Sequence, residues 1–482
     1  MKLNESRWIY AAGLTPEWKW VASHRSRNVL ERLTAVAAAF PKSAPPAVRG
    51  RRYLEGFRSV LKRAGAERDS AARHPAVDYW LFLWDKHFAM PCSESDWDLQ
   101  MSLFQGLAAF LALSAGGQRA DFDAVLDPDG RLCFYGSPFF IEYAPDAAFK
   151  AVRLEVRGGR LGITGPDLAR VDLTLAQLEA LPPEGMKAGS VLVGRSPEAA
   201  PGVVVEDKAW LLMHGVSMHG RARLDGPAKA RFIAVLQEAL ADMARHDPDL
   251  LAEMSDMLRV LVPLENPMKF ASVSSSYVNM RGAICLSHAE GPLLQAETLI
   301  HEFCHQKLNQ LMIIEPILKD GQSGQVFHSP WRKDARRLRG ILLGAHAFLN
   351  VSRYLLKSIS RDSYRAERNL DAMVNVASRL FQVETALRTL SFYASFTEFG
   401  ERFQAGLWRE LGALYHGIQW FPAALVKEAR DNAAKHRAAH SLFDTGFHKS
   451  VVFRDKVGRA PFLTPGGAEK PLAPAPAPGK KR

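Results

Sequence analysis

The chain has 482 residues, of which 47% are hydrophobic and 23% charged, with a formal net charge of +11. This length exceeds one ordinary core and predicts two or three domains. The composition is globular, and no run of 18 apolar residues occurs, so neither a membrane span nor a membrane partner is expected. The basic charge is spread out without a recognisable nucleic-acid-binding module, so nucleic acid is not an expected partner.

The N-terminal segment and the cysteines indicate a cytoplasmic protein. The sequence MKLNESRWIYAAGLTPEWKW lacks the uninterrupted apolar core of a signal peptide. The four cysteines, Cys92, Cys133, Cys285 and Cys304, are scattered and form no CxxC pair. That usage is typical of reduced thiols rather than of a disulfide framework or a cysteine-rich zinc site.

Hydrophobic periodicity divides the chain into four predicted regions. Residues 1–130 have the helical period, and residues 131–225 carry short β-branched and aromatic runs separated by Gly and Pro. Residues 226–458 return to the helical period, and residues 459–482 are a Pro/Ala/Lys-rich tail expected to be disordered. The predicted fold class is mainly α with a smaller mixed α+β region, and the third region is a helical catalytic domain carrying an HExxH helix.

The strongest chemical signal is the sequence HEFCH on a predicted helix. Pro292 is tolerated in the first turn of this helix, and Pro316 ends it. His301 and His305 lie four residues apart, so both imidazoles project from one face and can bind one divalent metal at about 2.0–2.1 Å. Glu302 lies one position round the helix, where it can act as a general base on a metal-bound water.

A catalytic metal needs a third protein ligand, whose identity the residues leave open. The metzincin continuation fails because Leu308 and Leu311 stand where that pattern has Gly and His. His346, within LLGAHAFLNV on a neighbouring predicted helix, is the preferred candidate, and the alternative is a core histidine hydrogen-bonded to a carbonyl. His328 is the second candidate, and a distant carboxylate is the third.

With such a ligand, iron suits the site as well as zinc, because imidazole binds both metals and an oxygenase needs open coordination positions. A 2-oxo acid would then need a cation for its carboxylate, and arginine binds carboxylates through two parallel hydrogen bonds. The segment PWRKDARRLRG, between the two helices, supplies Arg332, Arg336, Arg337 and Arg339. The alternative interpretation is that this segment is only the solvent-exposed start of a helix, with arginines that contact water.

Three segments together resemble a known family. They are SSSYVNMRGAICLS, AETLIHEFCHQKLNQLMIIEPIL and SPWRKDARRLRGILLGAHAFLNV. They are similar to the HExxH-type iron- and 2-oxoglutarate-dependent peptide β-hydroxylases associated with ribosomally synthesised, post-translationally modified peptides. The resemblance implies Fe(II) and 2-oxoglutarate as cofactors and a precursor peptide as the partner, hydroxylated at a side-chain β-carbon.

Carried over by position, the resemblance assigns His301 and His305 to the metal and Glu302 to the motif glutamate. It assigns Arg332 and Arg336 to the 2-oxo acid. The family varies between His and Tyr at the position of His346. The chain departs from the family pattern where Ala335 and Arg337 replace prolines and Arg339 replaces glycine.

Two other functions are alternatives at this point. One is a zinc metallopeptidase that uses Glu302 as general base and needs neither oxygen nor 2-oxoglutarate. The other is a non-catalytic precursor-peptide-binding protein, in which residues 131–225 recognise the peptide. The same β-rich region is the candidate for peptide recognition in the hydroxylase interpretation.

Overall fold

The computed structural model describes residues 6–10, 13–43, 62, 72–87, 94–114, 119–207, 222, 224, 226–266, 272–320, 325–359 and 367–440. Helices dominate these residues and the strands form smaller sheets, so the fold is mainly α with a smaller α+β region, as predicted. Within the described ranges, no helix combines the length and the apolar character needed to cross a membrane. The predicted disordered tail, residues 459–482, lies outside the described residues.

The helices of the described residues are α1 Ser6–Ile9, α2 Pro16–Ser43, α3 Pro75–His87, α4 Glu94–Ser114, α5 Leu175–Glu179, α6 Gly226–His246, α7 Pro248–Met257, α8 Pro292–Ile314, α9 Leu338–Ile359, α10 Glu367–Tyr393, α11 Glu398–Gly417 and α12 Ala423–His440. The strands are β1 Ala120–Val125, β2 Arg131–Cys133, β3 Phe139–Glu142, β4 Ala151–Arg157, β5 Arg160–Thr164, β6 Val171–Thr174, β7 Met186–Ala188, β8 Val191–Arg195, β9 Glu198–Ala200, β10 Val203–Val205, β11 Val260–Leu264, β12 Ser274–Ser275 and β13 Ala283–Ser287.

The described strands form three sheets. Two are antiparallel, with the orders β1-β4-β5-β6 and β2-β3-β8-β7. The third is mixed, with the order β12-β13-β11-β10-β9, and β11 pairs in parallel with both of its neighbours. Every residue of β11 and β13 is buried, as expected for parallel strands that are covered on both faces. Helix α8 follows β13 and packs on it, so this sheet supports the HEFCH helix.

The structure corrects both predicted boundaries of the β-rich region. Strand β1 begins at Ala120, inside the segment 1–130 that was expected to be helical. A six-residue strand directly after a long helix is too short for its two-residue period to stand out from the helical pattern. The boundary at residue 225 separates strands that share one sheet, because β10 pairs with β11, Val204 opposite Val260 and Val205 opposite Leu261.

The N-terminal helices belong to the same core as the HEFCH helix. Side chains of α1 and of the first turns of α2 are buried with those of α8, α9 and α11. The backbone carbonyls of residues 8–10 accept hydrogen bonds from His346 Nε2, Asn350 Nδ2 and Lys307 Nζ, at 2.8, 2.7 and 3.0 Å. These contacts tie the N-terminal segment to α8 and α9.

A buried ion cluster connects α2, α3 and the loop before β13. The Asp78 carboxylate accepts hydrogen bonds from Arg25 Nη2 at 2.8 Å and from Arg281 Nη2 and Nε at 2.9 and 3.1 Å. The Arg25 guanidinium also donates to the carbonyl of Arg281 at 2.7 Å. Only 1% of the Asp78 side chain is exposed, and burial lowers the pKa of Arg25 to about 10. Asp78 is therefore the shared counter-ion of two buried guanidinium groups.

Candidate metal centre

Helix α8 begins and ends at the prolines that the sequence indicated. Gly291 is extended, Pro292 opens the first turn, and the helix ends at Ile314 just before Pro316. The amide of Glu315 closes the last turn on the carbonyl of Leu311 at 2.8 Å. The predicted extent of this helix is thus confirmed.

His301 and His305 are brought together as the spacing requires. Their ring centres lie 4.3 Å apart and their planes are inclined by 73°. Both residues are partly exposed, and the Nδ1 atom of each is buried without a hydrogen-bond partner. Burial lowers the pKa of both rings, and the neighbouring Arg379 and Arg332 lower that of His301 further. Two neutral imidazoles with unsatisfied nitrogens are a donor set that fits a divalent metal.

Glu302 lies about 100° round α8 from His301 and faces strand β12. Its Oε1 accepts a hydrogen bond from Ser274 Oγ and its Oε2 one from Ser276 Oγ, both at 2.7 Å. Only 4% of the residue is exposed. The predicted catalytic glutamate therefore holds the segment that contains β12.

Gln306, one turn after Glu302, holds the rest of the same segment. Its Nε2 lies within 3.4, 3.3 and 3.1 Å of the carbonyl oxygens of Tyr277, Met280 and Ala283. Glu302 and Gln306 thus bind side-chain and backbone groups along residues 274–283. Glu302 and Gln306 therefore stabilise the packing of this segment against α8, in addition to any chemical role.

Removing the two serine hydroxyls tests the role of Glu302 in holding this segment. We expect Ser274→Ala and Ser276→Ala each to lower the free energy of unfolding by about 1.5–3 kcal/mol, because each bond ends on a buried carboxyl group. Urea denaturation followed by circular dichroism measures the change. The control is Ser272→Ala, which removes a 2.9 Å bond to the Thr298 hydroxyl and should cost only about 0.5–1.5 kcal/mol. Equal losses in all three variants would contradict the assignment.

In the structure His346 is a core histidine hydrogen-bonded to a carbonyl, which is the alternative interpretation of the sequence rather than the preferred one of a third metal ligand. It is fully buried, and its Nε2 donates to the carbonyl of Trp8 at 2.8 Å. The residue of α9 that contacts His301 is Phe348, with ring centres 4.6 Å apart. Burial, together with Lys307 and His305 of α8, lowers the pKa of His346 to about 3, so the ring lies near α8 with its Nε2 taken up by the Trp8 carbonyl.

His328, the second candidate for the third ligand, lies in a different cluster. Its ring centre is 5.4 Å from that of His436, and its Nδ1 is 3.0 Å from the carbonyl oxygen of His440. The sequence could not reveal this placement, because α12 is distant along the chain. Among the residues that the structure describes, no three His, Cys, Asp or Glu side chains form a ready ligand group.

The two arginines assigned to the 2-oxo acid share a surface partner. Arg332 Nε binds Asp334 at 2.9 Å, and Arg336 Nη2 binds the same carboxylate at 2.8 Å. The Arg332 side chain is 57% exposed and that of Arg336 38%. Arg332 is still close enough to lower the pKa of His301. Both arginines thus lie on the predicted loop between α8 and α9 and share one carboxylate as their counter-ion.

Sequence reasoning missed Arg379, which α10 places beside the histidine pair. The centre of its guanidinium lies 4.3 Å from the ring centre of Phe348, which also contacts His301. Arg379 Nη1 donates to Gln382 at 3.2 Å, while its Nε is buried without a hydrogen-bond partner. No motif marks this arginine, since it comes from a separate helix.

Glu297 is the other missed residue. It precedes His301 by one helical turn, so both lie on the same face of α8. Only 8% of Glu297 is exposed, and burial raises the pKa of its carboxyl group, while Arg379 lowers it. The spacing ExxxHxxxH in the sequence could have revealed this neighbour.

An aromatic surface completes the surroundings of His301. Trp331 lies against Phe348 with ring centres 5.2 Å apart, and it packs directly on Gly344. A Cβ atom at Gly344 would overlap the Trp331 ring, so this position requires glycine. The loop carrying Arg332 is thereby fixed against α9 next to the histidine pair.

A comparison of the chain with models of known protein families gives no match, and a search of curated proteins gives none.

Proposed function

We propose that the protein is an Fe(II)- and 2-oxoglutarate-dependent enzyme that hydroxylates a side-chain β-carbon of a ribosomally made peptide. The observation that carries the proposal is the His301–His305 pair, with unsatisfied ring nitrogens, next to the half-buried Arg379 guanidinium. With iron bound there, molecular oxygen would be the oxidant and 2-oxoglutarate, decarboxylated to succinate and CO₂, the donor of two electrons, so that one oxygen atom replaces a hydrogen on an unactivated carbon. The residues of the chain bind and orient these groups.

Arg379 is best placed to hold the distal carboxylate of 2-oxoglutarate. Its guanidinium is partly buried and lies over an aromatic ring that contacts His301. A guanidinium in such surroundings binds carboxylates more strongly than an exposed one. Arg332 and Arg336, the arginines of the family resemblance, each share Asp334 at the surface.

The position of β12 supports a peptide substrate. This strand is an edge of the mixed sheet, and Ser274 of β12 is bound by Glu302 on the HEFCH helix. An extended peptide can add to such an edge through main-chain hydrogen bonds. A peptide bound there would pass close to the helix that carries His301 and His305.

The peptidase alternative is less favoured, because Glu302 would have to activate a water molecule on the metal. Both of its carboxylate oxygens already accept a hydrogen bond from a serine hydroxyl, and its side chain points to β12, whereas His301 projects from another face of α8.

We place the enzyme in the cytoplasm. Cys285 and Cys304, two buried cysteines of the described residues, are not part of a disulfide, which supports this placement.

Anaerobic reconstitution tests the proposal. Apoprotein is loaded with Fe(II) under nitrogen, and a visible absorption band should appear when 2-oxoglutarate is added. Admission of oxygen in the presence of precursor peptides encoded beside the gene should then give succinate and a peptide mass gain of about 16 Da, one oxygen atom. Peptide cleavage without oxygen would support the zinc alternative, and neither succinate nor a mass gain would overturn the proposal.

Substitution of Arg379 tests the co-substrate site. We expect Arg379→Gln to weaken 2-oxoglutarate binding by about 30-fold or more, since losing one partner of a buried charge pair costs on the order of 2 kcal/mol. Titration of the visible band under nitrogen gives the affinity. Arg388→Gln, on the same helix with a 62% exposed side chain paired to Glu384, is the control and should have no effect. A larger loss of 2-oxoglutarate affinity in Arg332→Gln than in Arg379→Gln would instead assign the binding of the carboxylate to Arg332.

A further inference from the structure

A second group of histidines lies outside the candidate metal centre. His436 and His440 are four residues apart on α12, with ring centres separated by 4.7 Å, and the ring of His328 lies 5.4 Å from that of His436. Two imidazoles on one ion, each bound at about 2.0–2.1 Å, have ring centres about 5 Å apart. Both separations therefore match those of rings that share a metal.

The hydrogen bonds around these rings are those of metal-binding histidines. His328 Nδ1 donates to the main-chain carbonyl of His440 at 3.0 Å, which fixes the tautomer and leaves Nε2 with a free lone pair. Histidine ligands of metals usually make such a bond through their second nitrogen. His436 Nδ1 is buried and has no hydrogen-bond partner. All three residues are half-buried, and burial lowers the pKa of His328 and His436, which favours their neutral form.

We propose that His328, His436 and His440 form a second metal site, which takes a borderline divalent transition ion such as Zn²⁺. In the described part of the chain no three ligand side chains are already arranged to hold a metal ion. Metal binding at this site therefore includes the rotation of one imidazole ring about its side-chain torsions, which turns its nitrogen towards the ion. The ion would fasten the loop before α9 to the end of α12. Imidazole ligands suit zinc, and three of them leave a fourth coordination position for a water molecule.

The site would also affect the candidate metal centre through the loop. Three residues after His328, Trp331 packs on Phe348, which contacts His301. A metal that fixes His328 therefore restrains the aromatic surface next to the HEFCH helix. The proposal itself does not depend on iron or 2-oxoglutarate at that helix.

Zinc binding to the full-length apoprotein tests the proposal. Equilibrium dialysis with ZnCl₂ alone is run on wild type, on His301→Gln/His305→Gln and on His436→Gln/His440→Gln. We expect the first double variant to retain a zinc ion and the second to lose one relative to wild type. His416→Gln, a substitution of an exposed histidine near the end of α11, is the control and should bind as wild type does.

The outcomes separate this site from the proposed function. If the HEFCH helix binds no metal, wild type still binds one zinc ion and His436→Gln/His440→Gln binds none, which supports the second site. His328→Gln should weaken binding by at least about ten-fold, the least expected even for residues that only orient ligands. Unchanged zinc content in a folded His436→Gln/His440→Gln variant, with folding checked by circular dichroism, would overturn the proposal.

Discussion

His301→Ala should abolish iron binding at the HEFCH helix and with it the oxidation of 2-oxoglutarate. The two rings lie 4.3 Å apart with buried, unpartnered nitrogens, and one imidazole alone cannot hold a catalytic ion. We expect succinate formation to fall by more than about 100-fold, because even residues that only orient a ligand contribute 10–100-fold. Iron content is measured by atomic absorption in a His436→Gln/His440→Gln background, so that only one site is counted.

The control for this prediction is His416→Ala, which removes an exposed histidine from α11 and should leave iron content unchanged. His346→Gln separates metal binding from packing, since His346 lies in the core with Nε2 on the Trp8 carbonyl. It should lower stability yet leave iron stoichiometry intact. Loss of iron in His346→Gln, in a variant that remains folded, would restore His346 as a ligand.

Asp78→Ala is expected to lower the free energy of unfolding by about 3–5 kcal/mol, the range found when one partner of a buried ion pair is removed. Asp78 is the shared counter-ion of Arg25 and Arg281, whose side chains are 5% and 10% exposed. Without the carboxylate, two guanidinium groups remain buried and repel each other. Arg281 precedes β13, so the loop that holds Ser274 and Ser276 should loosen as well. Urea denaturation followed by circular dichroism measures the loss.

Asp85→Ala is the matched control on the same helix. Asp85 pairs with Arg32 through side chains that are 62% and 36% exposed. Solvent-exposed ion pairs contribute less than about 1 kcal/mol, so this variant should remain close to wild type. Similar losses in Asp78→Ala and Asp85→Ala would show that burial of the Asp78 cluster does not determine its contribution.

The sequence determined the features that depend on local chemistry. Pro292 and Pro316 bound α8 because proline suits the first turn of a helix and cannot continue one. The four-residue spacing of His301 and His305 places both rings on one face in any regular helix. The mainly α fold class and the loop position of Arg332 follow from the same periodic patterns.

Only the tertiary structure decided what meets the HEFCH helix. The orientation of α9 presents Phe348 to His301 and turns His346 to the Trp8 carbonyl, and α10 brings Arg379 to the same ring. Such contacts join residues far apart in the chain, and their geometry is set by how buried helices pack, which no local pattern specifies. The sequence alone thus determined the histidine pair, and the packing of α9 and α10 decided which side chains surround it.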